Sequence, residues 1–73
     1  MRKKQQALIK IGQRIREFRK AKGFSQEAFA YEVGLDRTYM GSVKRGERNI
    51  AAINLIRIAK TLKMEVGELF PTI

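Results

Sequence analysis

Two short helical segments separated by only a few residues constrain the fold of this 73-residue chain more than any other feature. Ser25 can cap the start of the first segment, because its hydroxyl can accept a hydrogen bond from a free N–H of the first turn. Gly34 can end that segment in a left-handed conformation. Asp36 follows after Leu35 alone and can cap the second segment. The sequence therefore predicts two helices joined by a tight turn over about residues 25–45.

The rest of the chain also has helical periodicity. Spacings of three and four residues predict a first helix over about residues 5–21, with an apolar stripe at Leu8, Ile11, Ile15 and Phe18. A fourth helix over about residues 50–62, with Asn49 as its N-cap, and a short fifth helix near residues 66–70 complete the pattern. We therefore predict one all-α domain of five short helices over residues 1–73, with a helix-turn-helix core at residues 25–45.

The charge balance indicates the kind of partner. Sixteen Lys and Arg residues face seven acidic residues, which gives a formal net charge of +9. An excess of this size on a short chain favours a polyanionic partner, although a merely soluble basic domain is the alternative. Composition alone does not separate DNA from RNA or from an acidic membrane.

The residue types that are absent exclude most chemistry. The sequence has no Cys and no His, and its carboxylates are not clustered. We therefore expect no enzyme activity, no metal, no cofactor and no small-molecule ligand. No apolar run approaches membrane-spanning length and the start lacks the apolar stretch of a signal peptide, so we expect a cytoplasmic protein without membrane contact.

The third predicted helix has one polar face. At about 100° per residue, Tyr39, Met40 and Val43 fall on the buried side. The other side carries two arginines, two hydroxyl side chains and a glycine, namely Arg37, Thr38, Gly41, Ser42 and Arg45. Arg can donate two hydrogen bonds to guanine, and a hydroxyl can contact a base or a phosphate. The pattern predicts a helix that reads the DNA major groove, with Gly41 allowing close approach; an ordinary solvated face is the alternative.

Residues on both sides of that helix suit contact with phosphate. Gln26 lies in the first turn of the second helix, where free N–H groups favour anions, although it is also an ordinary first-turn residue. Arg45, Arg48 and Asn49 follow the third helix within one short turn. They predict contacts with the DNA backbone, unless the turn is simply a solvated loop.

The fourth helix has more apolar residues than one buried face requires. Ile50, Ile53 and Ile56 lie on or beside its other side, and Met64 and Phe70 can extend the same surface. An exposed apolar surface of this kind indicates an interface, unless the fifth helix covers it within one chain. We predict a homodimer formed through residues 50–70, with the two reading helices ~34 Å apart.

Several stretches of the sequence resemble one family. Gly23-Phe24-Ser25-Gln26-Glu27-Ala28-Phe29-Ala30, then Gly34-Leu35 and Ile58-Ala59-Lys60-Thr61-Leu62, resemble the helix-turn-helix domain of the phage repressor/Cro (Xre) family. Leu35-Asp36-Arg37-Thr38-Tyr39 and Arg45-Gly46-Glu47-Arg48-Asn49 resemble the controller proteins of restriction–modification systems within it. The resemblance implies a lambda-repressor-like fold of five helices and a homodimer. It also implies binding to palindromic operators that control the endonuclease and controller genes.

The resemblance also assigns roles to residues. It implies phosphate contact for Gln26, groove contacts for Arg37, Thr38 and Ser42, and further DNA contacts for Tyr39, Arg48 and Asn49. Helical periodicity places Tyr39 on the buried side, whereas the resemblance implies a DNA contact. Both can hold if the ring is buried and the hydroxyl is exposed.

This chain departs from the family at two positions. Gly41 stands where many relatives have Ser, and Lys44 stands where many have a Glu that pairs with an Arg of the first helix. The counterpart of that Arg here is Arg19. We expect Lys44 to reach solvent or phosphate, and Glu47 or Glu17 to pair with Arg19.

The sequence therefore predicts a sequence-specific, DNA-binding transcription regulator of the controller type, with double-stranded DNA as partner and a contact with RNA polymerase as a further option. The alternatives are another small Xre-type repressor of phage or antitoxin-like kind, a protein-binding adaptor that uses the same fold, and a non-specific nucleoid or RNA binder.

Overall fold

The computed structural model describes residues 6–47 and 49–70. They form four α-helices and one 3₁₀ helix: α1 Gln6–Ala21, α2 Gln26–Val33, α3 Arg37–Lys44, α4 Ala52–Leu62 and the 3₁₀ helix Val66–Leu69. The predicted all-α fold is confirmed, except that the fifth helix is a 3₁₀ helix. The predicted phosphate contact Arg48 lies outside the described residues.

The helix-turn-helix is built by the caps that the sequence predicts. The Ser25 hydroxyl accepts a hydrogen bond of 3.1 Å from the Ala28 N–H, and the Asp36 carboxylate accepts one of 3.2 Å from the Tyr39 N–H. Gly34 ends α2 at φ +83°, a left-handed conformation that costs glycine little. Because each cap contributes about 1 kcal/mol, the start of both helices is fixed locally.

The core lies where α4 and the 3₁₀ helix meet the other helices. Its most deeply buried side chains are Phe29, Ile58, Leu62 and Leu69. α1 packs against α3 and α4, and α2 packs against α3 and α4. This packing fixes α3 at the surface.

A close backbone approach orients α3 on α1. A side chain at Gly12 would collide with the carbonyl oxygens of Val43 and Lys44 in the last turn of α3. Only glycine therefore allows this distance between the two helices. The periodicity of α1 gave no reason to single out Gly12.

The start of α4 differs from the prediction. α4 begins at Ala52, its N-cap is Ala51, and no side chain caps it, so the prediction of Asn49 as the N-cap is wrong. Ile50 precedes the helix and its side chain is buried in the core. The prediction of Ile50 as an exposed interface residue is therefore also wrong, because the chain turns it inward before the helix begins.

Candidate nucleic-acid interface

The first turn of α3 is its most exposed part. Arg37 and Thr38 are both exposed there, as predicted for residues that contact a partner. Beyond the end of α3, Arg45 and Asn49 are exposed as well. These side chains are therefore available to a ligand without any change in the fold.

The two exposed arginines each pair with a neighbouring glutamate. Arg37 Nη1 lies 3.0 Å from Glu27 Oε1, and the two side chains are 69% and 73% exposed. Arg45 Nε lies 2.9 Å from Glu47 Oε1. Exposed pairs of this kind contribute about 0–1 kcal/mol, so a stronger ligand can replace them.

Gln26 and Arg45 come together over Gly41. A Cβ built on Gly41 would lie 3.2 Å from Arg45 Nη1 and 3.5 Å from Gln26 Nε2. Gly41 is thus buried beneath two of the predicted phosphate-contacting side chains. The structure gives the glycine this packing role, which differs from the predicted exposed backbone that approaches DNA.

Ser42 does not lie on the exposed side, so that part of the prediction is wrong. It is buried, and its hydroxyl donates a hydrogen bond of 2.7 Å to the Tyr39 carbonyl oxygen. The physical reason is that α1 and α2 both pack against this short helix and cover more of its surface than one face. A hydroxyl can then be satisfied by the carbonyl three residues earlier.

Tyr39 lies at the edge between buried and exposed surface. Its ring packs against the core, and its hydroxyl accepts a hydrogen bond of 3.1 Å from Asn54 Nδ2 on α4. The prediction of a partly buried ring is confirmed. The hydrogen bond between Tyr39 and Asn54 could not be predicted from the sequence, because the two residues lie on different helices.

Arg19 lacks both of the carboxylate partners that the sequence analysis considered. It is only 9% exposed, and its Nη1 donates a hydrogen bond of 2.6 Å to the Phe24 carbonyl oxygen. Within residues 6–47 and 49–70, neither Glu17 nor Glu47 forms a salt bridge with it, so that expectation is wrong. Lys44 is exposed to solvent, and its expected contact with phosphate stays a prediction.

The predicted dimer surface is exposed in part. Ile53 is 57% exposed, and Ile56 and Phe70 are also exposed. Met64 is half-buried and packs against the core, and Ile50 is buried. The exposed apolar surface is therefore smaller than predicted and is centred on one side of α4.

Two other kinds of feature do not occur in the described part of the chain. No helix there is long and apolar enough to cross a membrane. No cluster of three or more potential metal-ligating side chains occurs there either.

Comparison with known proteins identifies the class. A family model described as helix-turn-helix matches residues 15–69. The control protein C.MunI of a Mycoplasma species is 41% identical over 66 residues, which cover 89% of each chain. The crystal structure of the restriction–modification controller protein C.AhdI from Aeromonas hydrophila matches with a TM-score of 0.83 and 52% identity, covering 86% of this chain and 96% of that one. A structure of SinR in complex with DNA matches with a TM-score of 0.78 and 33% identity, covering 81% and 95%.

The fold, the exposed first turn of α3 and these matches define a helix-turn-helix, DNA-binding transcription regulator. Within that class, the chain belongs to the family of restriction–modification controller proteins, which are not enzymes.

Proposed function

We propose that the protein is a homodimeric regulator that recognises a palindromic operator and controls the genes of a restriction–modification system. The observation that carries this proposal is the exposure of Arg37 and Thr38 in the first turn of α3. In helix-turn-helix proteins, the N-terminal residues of the second helix contact base edges in the major groove. Arg37 then reads guanine and Thr38 contacts a neighbouring base or phosphate.

The remaining contacts position the domain on DNA. We propose that four side chains contact phosphates: Gln26 and Arg45, which meet over Gly41, exposed Asn49, and Arg48. Tyr39 is proposed to contact DNA through its hydroxyl edge. Ser42 is left out of base readout because its side chain is buried.

Dimerisation is proposed through the exposed surface formed by Ile53, Ile56 and Phe70. Ile53 and Ile56 are exposed on α4, and Phe70 is exposed just after the 3₁₀ helix. Exposed apolar side chains of this kind favour association, because association removes apolar surface from water. In such a dimer, a two-fold axis through α4 relates the two chains. Each half of a palindromic operator then faces one copy of α3.

A contact with RNA polymerase is proposed on a different surface. The outer face of α2 carries Tyr31, which is 83% exposed, beside exposed Glu32. Exposed aromatic residues are frequent anchors of protein interfaces. Tyr31→Ala is expected to leave operator affinity unchanged while reducing the effect on transcription in vitro. We propose the cytoplasm as the location, since that is where bacterial DNA and polymerase meet.

The proposed function is tested by the ratio of specific to non-specific affinity. The protein is titrated against DNA from upstream of neighbouring methyltransferase and endonuclease genes, and against a scrambled duplex of the same composition, at ~0.15 M salt. We expect a ratio of about 10³ or more. A ratio near one would instead support the non-specific binder or the adaptor.

A further inference from the structure

A small pocket opens where α1, α2 and α3 meet. Its polar lining comes from Arg16 and Arg19 on α1, Gln26 at the start of α2 and Lys44 at the end of α3. The pocket encloses about 260 Å³ of empty space, its open mouth included. No carboxylate is among the side chains that line it.

Arg19 presents unused donors in this region. The guanidinium carries five N–H donors, and the only acceptor that bonds to it within residues 6–47 and 49–70 is the Phe24 carbonyl oxygen. No buried side-chain nitrogen in the described part of the chain lacks a hydrogen-bond partner. The Nε and Nη2 atoms of Arg19 must therefore reach accessible space, although the side chain as a whole is only 9% exposed.

The electrostatics of the pocket favour an anion. Arg16, Arg19 and Lys44 carry three positive charges, and the start of α2 adds the positive end of a helix dipole, worth about half a charge. The last turn of α3 reduces this positive charge, because its carbonyl oxygens face Gly12 and supply about half a negative charge. The balance is strongly positive, and a buried cation without a counter-charge is costly.

We propose that this pocket binds one phosphate group of the DNA backbone. Arg19 and Lys44 supply the charge, Gln26 adds an amide donor, and exposed Arg16 lies at the rim. The interior has room for about one water-sized group, so one phosphate oxygen enters and the rest of the phosphate lies at the mouth. The first helix of a helix-turn-helix crosses the DNA backbone, which brings a phosphate to the start of α2.

This proposal rests on the proposed DNA-binding function and adds α1 and Lys44 to its contacts. The same chemistry would accept free inorganic phosphate, and the experiment below separates the two sources.

The test is Lys44→Glu, which adds a carboxylate to the pocket that Arg19 also lines. Two properties are expected to change in opposite directions. The midpoint of thermal unfolding rises, because Arg19 gains a counter-charge. Affinity falls about tenfold on operator and scrambled DNA alike, and the slope of log affinity against log salt becomes shallower by about 1, because one phosphate contact is lost.

The matched control is Lys60→Glu. Lys60 is exposed on α4 and lines a different depression beside Lys63 and Glu65, so the change in net charge is the same at a distant place. It is expected not to raise the unfolding midpoint, because Lys60 lies in the last turn of α4, where a negative charge is unfavourable, and to weaken DNA binding less than Lys44→Glu. Lys44→Gln removes the cation without adding a carboxylate, so it should weaken DNA binding without the gain in stability.

Three results would overturn the proposal. The first is equal weakening of DNA binding by Lys44→Glu and Lys60→Glu. The second is an unchanged salt slope in Lys44→Glu. The third is a combination of two results. Inorganic phosphate raises the unfolding midpoint of the parent protein more than NaCl of equal ionic strength does, and Lys44→Glu binds DNA as tightly as the parent. This combination would assign the pocket to free phosphate. Because the variants are compared on scrambled DNA as well, a missing operator preference would count against the proposed function and not against this pocket.

Discussion

The hydroxyl of Tyr39 on α3 accepts a hydrogen bond of 3.1 Å from the side-chain amide of Asn54 on α4. This contact joins the proposed reading helix to the helix that carries Ile53 and Ile56. This hydrogen bond therefore links the proposed dimer surface to the proposed DNA-contacting helix within one chain.

The strength of that link can be measured with a double-mutant cycle. Tyr39→Phe, Asn54→Ala and the double variant are compared by urea unfolding. We expect a coupling free energy of about 0.5–1.5 kcal/mol, since the hydrogen bond is partly buried. Additive effects of the two substitutions would show that the contact contributes no stability.

Gly12→Ala tests the close approach of α1 and α3. The added Cβ meets the carbonyl oxygens of Val43 and Lys44, which are backbone atoms that cannot turn aside. We expect a loss of about 2 kcal/mol in the free energy of unfolding, although alanine favours a helix by about 1 kcal/mol over glycine.

The matched control for that substitution is Gly41→Ala. Its Cβ meets only the ends of the Arg45 and Gln26 side chains, which can move. This variant should be as stable as the parent or more stable. Equal destabilisation of both variants would remove the argument for a specific role of Gly12.

Ile53→Lys tests the proposed dimer surface. Because the side chain is 57% exposed in the single chain, the substitution should not disturb folding, while a charge at an interface opposes association. Sedimentation at low micromolar concentration should give twice the chain mass of 8.4 kDa for the parent and the single mass for the variant. Tyr31→Lys, at a still more exposed position on α2 (83%), should remain dimeric. A parent that sediments as a monomer would contradict the proposal.

Local signals in the sequence predicted much of the fold correctly. The caps Ser25 and Asp36 and the left-handed Gly34 each act within a few residues of their own position, so their effect can be read from the chain. The exposure of Arg37 and Thr38 follows from the same caps, because they fix where α3 begins.

What could not be predicted depends on contacts between distant segments. A helical wheel assigns one buried face, but α3 is covered on more than one side, which buries Ser42. Periodicity does not indicate that Ile50 turns inward before α4 begins. The missing carboxylate partner of Arg19 is likewise a property of the folded chain, since Glu17 and Glu47 both looked available in the sequence.

The central claim is that Arg37 reads a base. The direct measurement is the affinity of the parent and of Arg37→Ala for a set of operators in which each base pair is substituted in turn. We expect Arg37→Ala to lose about 1–3 kcal/mol on the parent operator and to lose discrimination at one base pair per half-site, with preferences elsewhere unchanged. A uniform loss of affinity over all substituted operators, with every base preference retained, would make Arg37 a phosphate contact and contradict the claim.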